Sequence, residues 1–159
     1  RVLRIHMKKC LHKILKILML YRSQHLLSER LHQQMHGMTN PIHRAVVPSM
    51  YRAIPKETIC ASIWKDGKII ATGLGILDRD YIGIYAIHVK EKYRGKGYAR
   101  QICTALLSEG MKKGAENAYL QVVQGNTAAK NLYTSLGFTD SYTYWFRVQP
   151  DDTKENNIE

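Results

Sequence analysis

The sequence predicts a mixed α/β fold, a mostly antiparallel sheet flanked by helices. Three observations lead there. Runs of strand character fall at TICASIWK (58–65), KIIATGLGIL (68–77) and YIGIYAIHV (81–89), separated by turn signals. A helical pattern follows at once, with small or apolar residues at Ala99, Ile102, Cys103, Leu106, Leu107 and Gly110. Strand and helix then alternate through AYLQVV, NTAAKNLYTSLGF and SYTYWFRV.

Taken in order, residues 3–35 read as helical, because Leu3, Met7, Leu11, Ile14, Leu18 and Tyr21 lie on one stripe. A second short helix fits Glu29–His36, and Gly37 and Pro41 in HGMTNP end it. The stripe suits a helix that covers one face of a sheet; a basic amphipathic helix on membrane or nucleic acid is the competing reading. Asp66-Gly67 is a two-residue hairpin signal between the first two strands, and Asp78–Asp80 turns into the third. The following helix is expected over about 96–113, with Lys112 and Lys113 at its C-terminal end and Gly114 just past it. Asn126 suits the N-cap of the short second helix, whose apolar face is Ala129, Leu132, Tyr133 and Leu136. The expected division is a basic helical N-terminal segment (1–50) packing on the core, a core (51–149) and a polar tail (150–159).

The 159 residues suffice for one domain with a real core. Lys and Arg number 24 against 13 Asp and Glu, a net charge of +11. Nine of those basic residues, with Glu29 as the one acid, precede residue 51, so the excess belongs to the N-terminal segment. The nearly balanced remainder argues against nucleic-acid binding by the core. Cys10, Cys60 and Cys103 show no paired spacing, which points to a reduced, intracellular, cytoplasmic protein. No CxxC or HExxH pattern suggests a metal, and no apolar run approaches the roughly 20 residues of a membrane span.

The stretch EKYRGKGYARQ (91–101) stands where the third strand stops and the helix begins. Gly95 and Gly97 allow a sharp turn and close approach of a partner to the backbone. The first amides of the helix lack internal partners and carry the positive end of the macrodipole. With Arg94, Lys96 and Arg100 nearby, this end is suited to an anion, phosphate above all. The competing reading is a glycine-softened turn beside a solvated basic face.

Two segments together resemble the GCN5-related N-acetyltransferases, over about residues 58–147. Arg94, Gly97 and Ala99 in YRGKGYA match the family's Arg/Gln-x-x-Gly-x-Gly/Ala signature, and NTAAKNLYTSLGF is similar to its Asn-x-x-Ala-x-x-Leu-Tyr-x-x-x-Gly-Phe segment. The resemblance implies an acetyl-CoA-dependent N-acetyltransferase acting by direct attack of an amine on the thioester. It implies that Gly95, Lys96, Gly97, Tyr98, Ala99 and Arg100, with Arg94, cradle the pyrophosphate. Ile87, His88 and Val89 would pair through their backbone with the pantetheine arm at a bulge, and an amide there could stabilise the oxyanion. Asn126 would contact the cofactor, and Tyr133 would protonate the leaving thiolate. The partners implied are acetyl-CoA and an amine acceptor, with a homodimer left open.

Two departures stand out. The family opens with a strand, and nothing in residues 1–50 reads as one, so the expected fold lacks the usual first strand. Many members carry a carboxylate base on the third-strand region, where this chain offers Tyr85 and His88. These departures keep a second class of function in view, a non-catalytic acetyl-CoA-binding regulatory or interaction module.

Overall fold

The computed structural model describes residues 1–6, 19–21, 46 and 49–147. Among the described residues seven strands form one sheet: β1 (Val2–His6), β2 (Met19–Tyr21), β3 (Thr58–Lys65), β4 (Lys68–Asp78), β5 (Tyr81–Val89), β6 (Asn117–Gln121) and β7 (Thr139–Tyr142). Two helices, α1 (Tyr98–Lys112) and α2 (Thr127–Ser135), connect β5 to β6 and β6 to β7. The strand order is β2-β3-β4-β5-β6-β1-β7. Every neighbouring pair is antiparallel except β5 with β6.

The β3-to-β6 region follows the sequence closely. Asp66 and Gly67 both take positive φ, 51° and 67°, as a tight hairpin between β3 and β4 demands. The helical stripe does what its spacing requires: Ile102, Cys103, Leu106, Leu107 and Gly110 are buried on α1. They join Ile82 and Ile84 of β5 and Ala118 and Leu120 of β6 in one core. Gly114 follows the C-cap Lys113 with φ 92°, the left-handed turn that ends a helix.

The N-terminal expectation is overturned. Val2–His6 is a strand, not the start of a helix, and it lies inside the sheet between β6 and β7. Leu3, with no exposed surface, faces the core; Arg4 is exposed on the other face, the two-residue alternation of a strand. Met19–Tyr21 is also a strand, antiparallel to β3 at the sheet edge. The sheet therefore does carry a first strand ahead of β3. Val46 and Ser49–Arg52 are helical. The remaining residues of the expected basic segment, and the tail from 148, lie outside the described residues. The last strand is also shorter than SYTYWFRV suggests: it pairs from Thr139 to Tyr142, and 143–147 join no ladder.

Candidate active site

The parallel pairing of β5 and β6 runs from Tyr81↔Asn117 to Ile84↔Leu120 and goes no further. β5 continues to Val89, so the sheet opens into a fork beyond Ile84. The β4 ladder shifts register at the same level: Leu74 pairs with Tyr85 and Thr72 with His88, which leaves Gly73 opposite both Ala86 and Ile87. This is a β-bulge, and Ala86 pays for it with φ 49°, a left-handed conformation unusual for a residue with a Cβ.

On the α1 side of the fork lies a cavity of about 410 Å³. Its walls come from three places: Ile87 and Val89 of β5; Tyr93 to Arg100 except Lys96; and Ala128, Ala129, Leu132 and Tyr133 of α2. The turn that begins α1 is open. Gly95 and Gly97 have φ of 72° and 81°, and a Cβ on either would meet nothing within 4 Å. Gly97 is the N-cap, no side chain caps the helix, and its first turn has no acid. The first amides of α1 are thus donors without a side-chain acceptor, at the positive end of the helix. α2 is different: the Asn126 side chain accepts from the Ala129 amide at 3.1 Å.

The basic residues of the turn are braced into the fold. The Arg94 Nε donates to the Val89 carbonyl at 3.2 Å, and the Lys96 ammonium to the Lys92 carbonyl at 3.3 Å. The Arg100 guanidinium donates to the Ser135 hydroxyl, joining the start of α1 to the end of α2.

Tyr133 is 8% exposed and packs edge to face on Phe138. Burial, and secondarily the neighbouring Cys103, push its hydroxyl up to about 12, so it is held protonated at neutral pH. The Cys103 thiol is pushed up to about 12 by its own burial. A buried, protonated thiol is an inert core group, as its place on the α1 stripe predicts.

Of the residues named from sequence, Ile87, Val89, Arg94, Gly95, Gly97, Tyr98, Ala99, Arg100 and Tyr133 come together around this cavity. Lys96, Asn126 and His88 are not among its lining residues. Ile87 and Val89 face the cavity, so alternation directs the His88 side chain to the opposite face of the sheet. Sequence reasoning missed Tyr93, Ala128, Ala129 and Leu132 as cavity walls. The paired alanines were the available signal, because small side chains at the start of α2 leave the room that the cavity fills.

No helix among the described residues is long and apolar enough to cross a membrane. The solved structure of aminoglycoside N-acetyltransferase AAC(6')-Iy, in complex with a bisubstrate analogue of coenzyme A, shares the fold. Its TM-score is 0.65 at 15% identity, over 86% of this chain and all of that one. The ribosomal-protein-S18-alanine N-acetyltransferase of Escherichia coli gives 0.62 at 23% identity, over 79% of this chain and 80% of that one. In sequence, the uncharacterized N-acetyltransferase YobR of Bacillus subtilis is 28% identical over 116 residues, which are 73% of this chain and 47% of that protein. The ribosomal protein bS18-alanine N-acetyltransferase of Haemophilus ducreyi is 30% identical over 80 residues, 50% of this chain and 55% of that protein. The chain thus matches about half the length of these relatives. The sequence pattern of the acetyltransferase (GNAT) family matches residues 21–138, and the chain belongs to that family.

Proposed function

We propose that the protein transfers an acetyl group from acetyl-CoA to an amine. One observation carries this reading: the uncapped, glycine-opened start of α1 faces the same cavity as the end of β5 beyond its last β6 rung and the Tyr133 side chain. The amides from Gly95 to Arg100 suit the pyrophosphate, because phosphate oxygens need donors more than particular side chains. The β5–β6 ladder ends at Ile84, so the β5 backbone near Ile87, His88 and Val89 is where the amide-bearing pantetheine arm would pair as an added strand. A cavity of this size, apolar along α2 and polar at the turn, fits such a two-part ligand.

Tyr133 then acts on the leaving sulfur. Its hydroxyl is protonated at neutral pH and donates as the carbon–sulfur bond breaks and negative charge gathers on sulfur. On the opposite face, His88 would take the proton that the amine loses, directly or through water. No acyl-enzyme is required, and the buried Cys103 is unsuited to forming one.

The test is thiol release from acetyl-CoA with a panel of amines. The relatives guide the panel: one is named for an alanine of a ribosomal protein and another for aminoglycosides. The expected result is release that depends on both the amine and the protein. Tight binding of acetyl-CoA with no amine-dependent release would favour the non-catalytic module instead.

A further inference from the structure

The face of the sheet opposite α1 has its own construction at the fork. Ile82 and Ile84 of β5, and Ala118 and Leu120 of β6, point into the core with α1. By alternation Tyr81, Gly83 and Tyr85 point the other way, as does Tyr119 of β6. Tyr119 stands on the rung opposite Gly83, and Tyr85 is the first β5 residue past the last rung. The two hydroxyls lie 2.7 Å apart, and the rings meet edge-on with centroids 6.1 Å apart. Gly83 makes this meeting possible. A Cβ there would lie 2.6 Å from the Tyr85 ring and 2.8 Å from both Cζ and the hydroxyl of Tyr119. The three residues form one unit at the base of the fork, across the sheet from the cavity that holds Tyr133.

We infer that the Tyr85–Tyr119 hydroxyl pair receives and orients the acceptor amine; this rests on the acetyl-transfer reading above. A nitrogen nucleophile must keep its lone pair aimed at the carbonyl while its N–H groups are held elsewhere. Phenol oxygens accept N–H without competing for that lone pair. Two hydroxyls that bond each other use one proton between them, so lone pairs and one O–H remain for a third group. Desolvation, then the bond to Tyr119, raise the Tyr85 pKa, so the Tyr85 hydroxyl keeps its proton where the amine reacts. The carbonyl at the fork can be approached from this face because the cofactor cavity occupies the other.

A groove of about 360 Å³ adjoins the pair on the same face, with Tyr119 as a common wall. It brings Asp78 and Asp80 together with Arg4 and Arg79. Asp78 already pairs with Lys56 at 2.8 Å. Charges of both signs suit a polar acceptor with several hydrogen-bonding groups better than a small apolar amine.

Steady-state kinetics at saturating acetyl-CoA test this with three probes: kanamycin, a hexapeptide beginning with alanine, and n-butylamine. We expect one of the first two to be preferred over n-butylamine by at least tenfold in kcat/KM. For the preferred amine, Tyr85→Phe and Tyr119→Phe should each raise the amine KM about tenfold, and the double variant should lose little more. Acetyl-CoA affinity, measured by calorimetry, should not change in any of them. Gly83→Ala should behave like Tyr119→Phe if its melting curve shows it folded. Turnover with unchanged amine KM in both Phe variants overturns the inference while the acetyl-transfer reading stands. Acetyl-CoA binding without turnover of any amine overturns both together.

Discussion

Tyr133 and Phe138 meet edge to face, with ring centroids 6.1 Å apart and planes at 65°. The contact fixes the tyrosine ring against the buried end of α2 while the same side chain lines the cavity. Removing only its hydroxyl therefore leaves packing intact. Tyr133→Phe should lower kcat about 10²-fold, the scale of general acid catalysis, with acetyl-CoA affinity unchanged by calorimetry. Equal turnover in the Phe variant would reduce Tyr133 to a packing residue.

The pH profile follows from the same burial. Tyr133 is raised from its usual value near 10 to about 12, so it keeps its proton throughout the working range. The acceptor amine, with pKa of about 10 when unperturbed, must be neutral to attack. We expect kcat/KM to rise from pH 7 toward 10 with no fall traceable to Tyr133 below about 12. A fall near pH 9 that vanishes in Tyr133→Phe would contradict this. The raised pKa favours the neutral native state, so its stabilising effect is full below pH 10 and is lost toward pH 12. The wild-type melting temperature should accordingly fall faster than that of Tyr133→Phe across that interval.

Gly97 has φ 81° at the N-cap of α1, and a Cβ there would touch no protein atom within 4 Å. Valine in its place brings backbone strain and a side chain in the path of the pyrophosphate. Gly97→Val should weaken acetyl-CoA binding by more than tenfold while the protein still folds. Undiminished affinity in a folded Gly97→Val protein would remove the cofactor from this turn.

The glycine turn, β3 to β5 and the α1 stripe were legible because each is written locally. A hairpin pair, a three-to-four-residue period and a glycine at a strand-to-helix junction need no distant partner. β1 was not legible. Val2–His6 is too short to separate a two-residue period from a helical one, and Leu3 and Met7 also fit a helical stripe. What makes it a strand is its pairing with Asn117–Gln121 and Thr139–Tyr142 at the other end of the chain. The same holds at the site: the Tyr85–Tyr119 pair exists only because β5 and β6 run side by side, which no local pattern reveals.

The strand assignment of β1 has its own test. Leu3 is fully buried opposite Leu120, while Arg4 is exposed. Leu3→Ala should cost about 2–5 kcal/mol, read as a large drop in melting temperature or denaturant midpoint. Arg4→Ala should cost far less. Similar small losses at both positions would contradict an interior strand.

In the proposed reaction a cofactor bound at the α1 turn meets an amine at the fork. The most direct measurement follows free thiol and acetylated amine together in one reaction with acetyl-CoA, for the wild type and Gly97→Val. The wild type should give the two products in equal amounts, and the folded variant should lose both at acetyl-CoA concentrations that just saturate the wild type. Thiol release without acetylated amine, or unimpaired transfer by Gly97→Val, would contradict it.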